Sequence, residues 1–164
     1  MADPYLDDAF DDGRAETPNQ RRDRNWAEIL QELRVVQTGT QLLSGFLLAV
    51  AFQPRFVELD PLQLGVYLGL VGIAALATLL GIAPVILHRL LFRRLAKEQV
   101  VIVGARLLTA DLIVVGVLAI GVTALIFDFA LSRTAGVVAL AVGVLAVVAL
   151  WAGLPRVGRR DGEA

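Results

Sequence analysis

The sequence contains no cysteine, which removes disulfide frameworks and thiolate metal sites from consideration. Its single histidine, His88, rules out a metal site built from several histidines, or a buried histidine pair, within one chain. No glycine-rich loop leads from a strand into a helix, and no serine lies beside a base at a recognisable spacing. The connections after the first and third apolar stretches, which are the outer ones, are too short to enclose a soluble active site. These absences argue against an enzyme and give no reason to expect a cofactor or a bound metal. The formal net charge of -1 carries little information, because the ends and the connections differ sharply in sign.

What the sequence does have is apolar residues, 57% of 164, against roughly 45–50% in soluble proteins. The excess falls into four blocks, near residues 35–52, 62–87, 100–127 and 135–151, with the charges pushed between them. Each block reaches or approaches the length of about 20 residues needed to cross a bilayer as a helix. The expected fold is therefore all-α: a transmembrane four-helix bundle over residues 25–155. A disordered acidic tail (1–24) precedes it and a basic tail (156–164) follows it.

The chain is organised around Asn25–Phe56. Asn25 with Glu28 three residues later fits a capping box, so the helix is expected to start there. Trp26, Ile29, Leu30 and Leu33 then form one apolar stripe. That stripe suits the membrane surface, with Trp26 at headgroup depth, or an extension of the first span. Arg34, Gln37, Gln41 and Ser44 share a second face. Unpaired amides in hydrocarbon cost several kcal/mol each, roughly, so this face is expected to turn towards protein or enclosed water.

The second span carries Gly65, Gly69 and Gly72 on one face, where a neighbouring helix can approach closely. Pro84 near its end is expected to kink it. The following HRLLFRRLAKEQ (residues 88–99) is a basic amphipathic stretch suited to anionic lipid headgroups. It makes a poor nucleic-acid site. The third span holds Asp111, the one carboxylate clearly inside a span. The fourth presents Gly136, Ala139 and Gly143 as a second small-residue face and is expected to stop at Pro155.

Lys and Arg set the orientation. With the amino terminus inside, thirteen fall on the cytoplasmic side and two, Arg55 and Arg133, on the outer side. This positive-inside bias places the protein as a multi-pass plasma-membrane protein with both termini in the cytoplasm.

Gln37, Thr38, Gln41, His88, Arg89 and Asp111 are the candidate polar or ion site. Equal distances from the inner helix ends bring Arg34, Gln37, Gln41, His88, Arg89 and Asp111 to a similar depth, so they are expected to form one inner cluster. A functional cluster would carry Na+ or H+ with Asp111 titrating. A structural one would pair Asp111 with Arg106, Arg89 or His88. Four spans do not divide into an inverted repeat, and the first span lacks a carboxylate, so transport by this chain calls for an oligomer. The competing expectation is a non-transporting scaffold that assembles through its glycine faces.

The stretch NWAEILQELRVVQTGTQLLSGFLLAVAFQPRF, followed by HRLLFRR after the second span, resembles an uncharacterised family of small actinobacterial integral-membrane proteins. The resemblance covers most of Asn25–Trp151. It implies four spans and a domain of unknown function. Some members carry a sodium:proton antiporter label, which implies cation transport. The family has no established ion-binding residues to transfer.

Overall fold

The structure is a computed structural model that describes residues 17–91 and 97–160, without the side chains of residues 18, 19, 88, 90, 91, 97–99 and 153–160. All its regular elements are helical: α1 (Pro18–Val50), a 3-10 turn (Pro54–Glu58), α2 (Pro61–Leu91), α3 (Lys97–Ala130) and α4 (Arg133–Arg160). They form a four-helix bundle in which neighbouring helices pack. Each helix contains a segment long and apolar enough to cross a membrane: Gln20–Val50, Pro61–Leu87, Val100–Ala130 and Arg133–Ala152. The 33 residues of α1 and 34 of α3 are each about 50 Å long at 1.5 Å per residue. A hydrocarbon core near 30 Å therefore leaves part of both helices outside it.

The helix starts follow local chemistry. Thr17 and Gln20 form a reciprocal capping box: the Thr17 amide donates to Gln20 Oε1 (2.9 Å) and the Gln20 amide to Thr17 Oγ1 (3.3 Å). Asp60 and Gln63 repeat it at α2. The amides of Leu62 and Gln63 both donate to Asp60 Oδ1 (2.8 Å), and the Asp60 amide donates to Gln63 Oε1 (3.0 Å). In both cases a proline follows the cap, where its missing N–H costs nothing. Ser132 caps α4 through the Ala135 amide.

The first of these caps corrects the sequence reading. α1 starts at Pro18, not Asn25, and the expected tail boundary at residue 24 moves with it. Glu28 instead pairs with Arg24 one turn earlier (3.3 Å). The rest of the expected tail, residues 1–16, lies outside the described residues. At the other end, α4 continues through Pro155 to Arg160. A proline removes one helical hydrogen bond, and the remaining bonds can carry the helix past it.

Packing follows a strict alternation of three and four residues. The inward positions of α1 are Trp26, Ile29, Leu33, Val36, Thr40, Leu43 and Leu47; those of α2 are Gln63, Tyr67, Leu70, Ala74, Ala77, Gly81 and Pro84. On α3 the buried residues Val101, Gly104, Leu108, Asp111 and Leu118 keep the same spacing. A seven-residue repeat of this kind is the geometry of helices packed at a shallow left-handed crossing.

The chain divides into two compact units. In the first, which contains α1 up to Leu42 and Ala75–Val114, Ile29 and Leu33 of α1 pack on Val101, Ala105 and Leu108 of α3. The Trp26 ring lies against Gly104, where a Cβ would come 2.6 Å from Cζ3. The stripe headed by Trp26 is thus an extension of α1 that packs on α3. In the second unit, Leu43–Ala74 with the residues from Val115 onward, Leu47, Tyr67, Leu70, Ala74 and Leu118 form the core. The Tyr67 hydroxyl donates to the Leu47 carbonyl (3.0 Å), and Phe56 meets the Tyr67 ring edge-on.

Candidate functional site

The buried polar positions on these seams divide sharply by how they are satisfied. Thr40 donates to the Val36 carbonyl one turn back (3.0 Å). Tyr67 reaches the Leu47 carbonyl. Gln63 is anchored at both ends, its Oε1 on the Asp60 amide and its Nε2 on Asp128 Oδ1 (3.2 Å). Arg133 donates to Asp128 Oδ2 (2.8 Å) and to Asp60 Oδ2, which ties the starts of α2 and α4 to the end of α3. Asp60 lies below the usual carboxylate range, first because the Gln63 amide donates to it, then through the Arg133 charge and the Leu62 amide.

Asp111 is different. It is fully buried, with 0% exposure, and neither carboxyl oxygen has a hydrogen-bond partner among the described residues. Its place on the α3 seam explains the burial. It lies three residues after Leu108 and seven before Leu118, both at core positions. The sequence carried this signal in the spacing of Val101, Gly104, Leu108, Asp111 and Leu118. A charge at the centre of a membrane helix costs about 2.5–3.5 kcal/mol on insertion scales, so such a residue is a functional candidate by default.

Among the described residues, the expected inner cluster around Asp111 is not assembled. Arg34, Gln41 and Arg89 are exposed, and the expected pairs of Asp111 with Arg106 or Arg89 are absent; Arg106 too is exposed. The His88 side chain lies outside the described residues. Gln37 is half-buried and packs on α2, where a Cβ on Gly81 would come 2.5 Å from its Nε2. Thr38 is exposed and its hydroxyl is taken by the Arg34 carbonyl (2.8 Å). The reason is rotational. The inward face of α1 runs through Leu33, Val36, Thr40 and Leu47, so Arg34 and Gln41 point away from the core. Ser44 is half-buried, and its Oγ has no partner among the described residues.

The two glycine faces also part company. Gly136 and Gly143 of α4 lie against α3: a Cβ on Gly136 would come 2.6 Å from Asp128 Cβ, and one on Gly143 would come 3.0 Å from Ile120 Cγ2. Ala139 between them is half-buried. Gly65, Gly69 and Gly72 of α2 have nothing within 4 Å of an added Cβ, so among the described residues they meet no packing neighbour. The glycines that admit close neighbours on α2 and α3 are Gly81, Gly104 and Gly121, the last against Leu70.

The sequence reading missed the network of Asp60, Gln63, Asp128 and Arg133. Asp60-Pro61-Leu62-Gln63 was its visible part, because it has the form of a helix cap followed by proline.

Residues 15–155 match the Family of unknown function (DUF6328). No curated protein matches the chain, and no solved structure does either. The match spans most of the sequence, and the chain belongs to this family.

Proposed function

We propose that this protein works as a proton-linked membrane protein, with Asp111 as the group that takes up and gives off the proton during transport. The observation that carries this reading is the burial of Asp111 with both oxygens unpartnered among the described residues. As a neutral acid the side chain suits apolar surroundings; as a carboxylate it needs a partner or water. The two states therefore favour different surroundings, which is what a protonation step needs in order to drive a conformational change. A proton fits better than Na+, because hard cations require several oxygen ligands. No group of three or more candidate metal-ligating residues occurs among the described residues. This reading assigns no enzymatic reaction to the chain.

The orientation that goes with it has both termini in the cytoplasm of a plasma-membrane protein, following the thirteen-to-two division of Lys and Arg. The basic stretch between α2 and α3 would then meet the anionic inner leaflet.

A second reading, assembly without transport, is favoured by one observation. Arg34, Thr38 and Gln41 are exposed within the apolar α1 segment Gln20–Val50, and Gly65, Gly69 and Gly72 are open. An exposed amide such as that of Gln41 in a membrane helix is best satisfied by another helix, so a homo-oligomer or a partner subunit is part of either reading. Purified protein in sealed vesicles, with a trapped pH-sensitive dye and imposed proton or sodium gradients, separates them. Proton-linked transport gives dye responses that Asp111→Asn abolishes. A silent wild type under every gradient excludes transport by this chain and leaves assembly.

A further inference from the structure

Away from Asp111, the second unit contains a cavity of about 460 Å³, in the size range of ligand sites. Its walls come from the end of α1, the 3-10 turn, Tyr67 of α2 and the end of α3. They are almost wholly apolar, with Gln53 and Arg55 as polar exceptions. Phe46, Val50 and Ile126 line it while remaining 63%, 40% and 55% exposed. On membrane-spanning helices such side chains face hydrocarbon, so the cavity is continuous with the lipid side of the helices.

Arg55 marks the polar end. Its guanidinium stacks over Phe129 at 4.7 Å, and its Nε donates to Glu58 at 3.0 Å. Its two terminal nitrogens donate to no group among the described residues. Four N–H donors thus lie at the level where the apolar helices end. Planar guanidinium groups recognise phosphate through such donors.

We propose that this cavity is a phospholipid site: one acyl chain occupies the apolar cavity and the lipid phosphate accepts hydrogen bonds from the terminal nitrogens of Arg55. Free phosphate is a poor occupant of an apolar cavity, and a bare hydrocarbon leaves the arginine donors unused. A phospholipid satisfies both ends. This site is independent of any protonation at Asp111.

Wild-type protein in vesicles of phosphatidylethanolamine and phosphatidylglycerol, containing a trace of phospholipid with a photoactivatable acyl terminus, tests the assignment by peptide mapping. The expected adducts concentrate on residues 46–59 and 122–130, above the background on the outward α4 residues Val138 and Leu145. Ala130→Phe, at the exposed end of α3, fills the cavity from its rim and brings labelling down to that background. Arg55→Gln lowers it roughly two- to fivefold, as for a solvent-accessible charge contact. A photoactivatable alkane without a headgroup does not concentrate in the cavity. Even labelling of all lipid-facing helices in the wild type overturns the proposal without recourse to any variant. So does labelling unchanged by Ala130→Phe in a folded protein, or equal enrichment of the alkane.

Discussion

Two aspartates on α3, Asp111 and Asp128, sit in opposite circumstances. Asp128 is held by Gln63 of α2 and by Arg133 at the start of α4, and its side chain retains 15% exposure. Asp111 is more deeply buried and is held by nothing among the described residues. Both carry the same carboxyl group on the same helix. The contrast shows how this fold treats a polar group that serves structure: it surrounds the group with donors that fix three helix ends together. A carboxyl placed on the packing seam without donors costs stability. Such a cost is retained where the unsatisfied state has a use.

The largest effect should come from dismantling the satisfied end. Asp128→Ala leaves the Gln63 amide and Arg133 short of an acceptor, and lowers stability by about 2–3 kcal/mol, the scale for hydrogen bonds to charged groups. Thermal unfolding in detergent measures it; a change within error would mean that the network is cosmetic.

Asp111→Leu should move stability the other way. A buried carboxyl without a hydrogen-bond partner among the described residues is replaced by a larger apolar group branched at the same atom, and the net gain expected is about 1 kcal/mol once the added volume is accommodated. Destabilisation in the same unfolding assay beyond the roughly 1–3 kcal/mol that overpacking costs would show that Asp111 has partners after all and would erase the contrast.

The smallest effect belongs to Asp60. Its carboxyl is depressed in the folded protein by the amides of Gln63 and Leu62 and by Arg133. Its contribution is therefore complete above its ordinary value of 3.8 and fades as pH falls through the lower folded value. Unfolding followed from about pH 5 downwards should show this loss in the wild type and lack it in Asp60→Asn. An identical acid profile for the variant would place the acid sensitivity elsewhere.

Much of this arrangement was legible in the sequence. Four apolar blocks separated by charge give four helices, because chain length and hydrocarbon thickness leave few alternatives. The stripe of Trp26, Ile29 and Leu33 identified the buried face in the first part of α1, where charged residues mark the opposite side. Further along, Leu42, Leu43, Phe46, Leu47 and Leu48 make α1 apolar all round, and polarity stops reporting direction. Polarity there points to the glutamines as the inward face, whereas Val36, Thr40, Leu43 and Leu47 continue the earlier stripe at unbroken heptad spacing. The glycine pattern failed on α2 for a similar reason: small size permits a close neighbour without requiring one. Gln63 and Asp128 are 65 positions apart, so no local periodicity could pair them. Asp111 was visible as an anomaly, and the heptad of α3 indicates its burial, but the absence of a partner among the described residues is a three-dimensional fact.

Infrared difference spectroscopy on the protein in membranes, recorded as a proton gradient is imposed and released, tests the role of Asp111 most directly. The account predicts a carboxyl stretching band that gains and loses intensity with the gradient and disappears in Asp111→Asn, while the protein remains folded. A spectrum without any carboxyl change under any gradient, or a band that persists unchanged in Asp111→Asn, would contradict it.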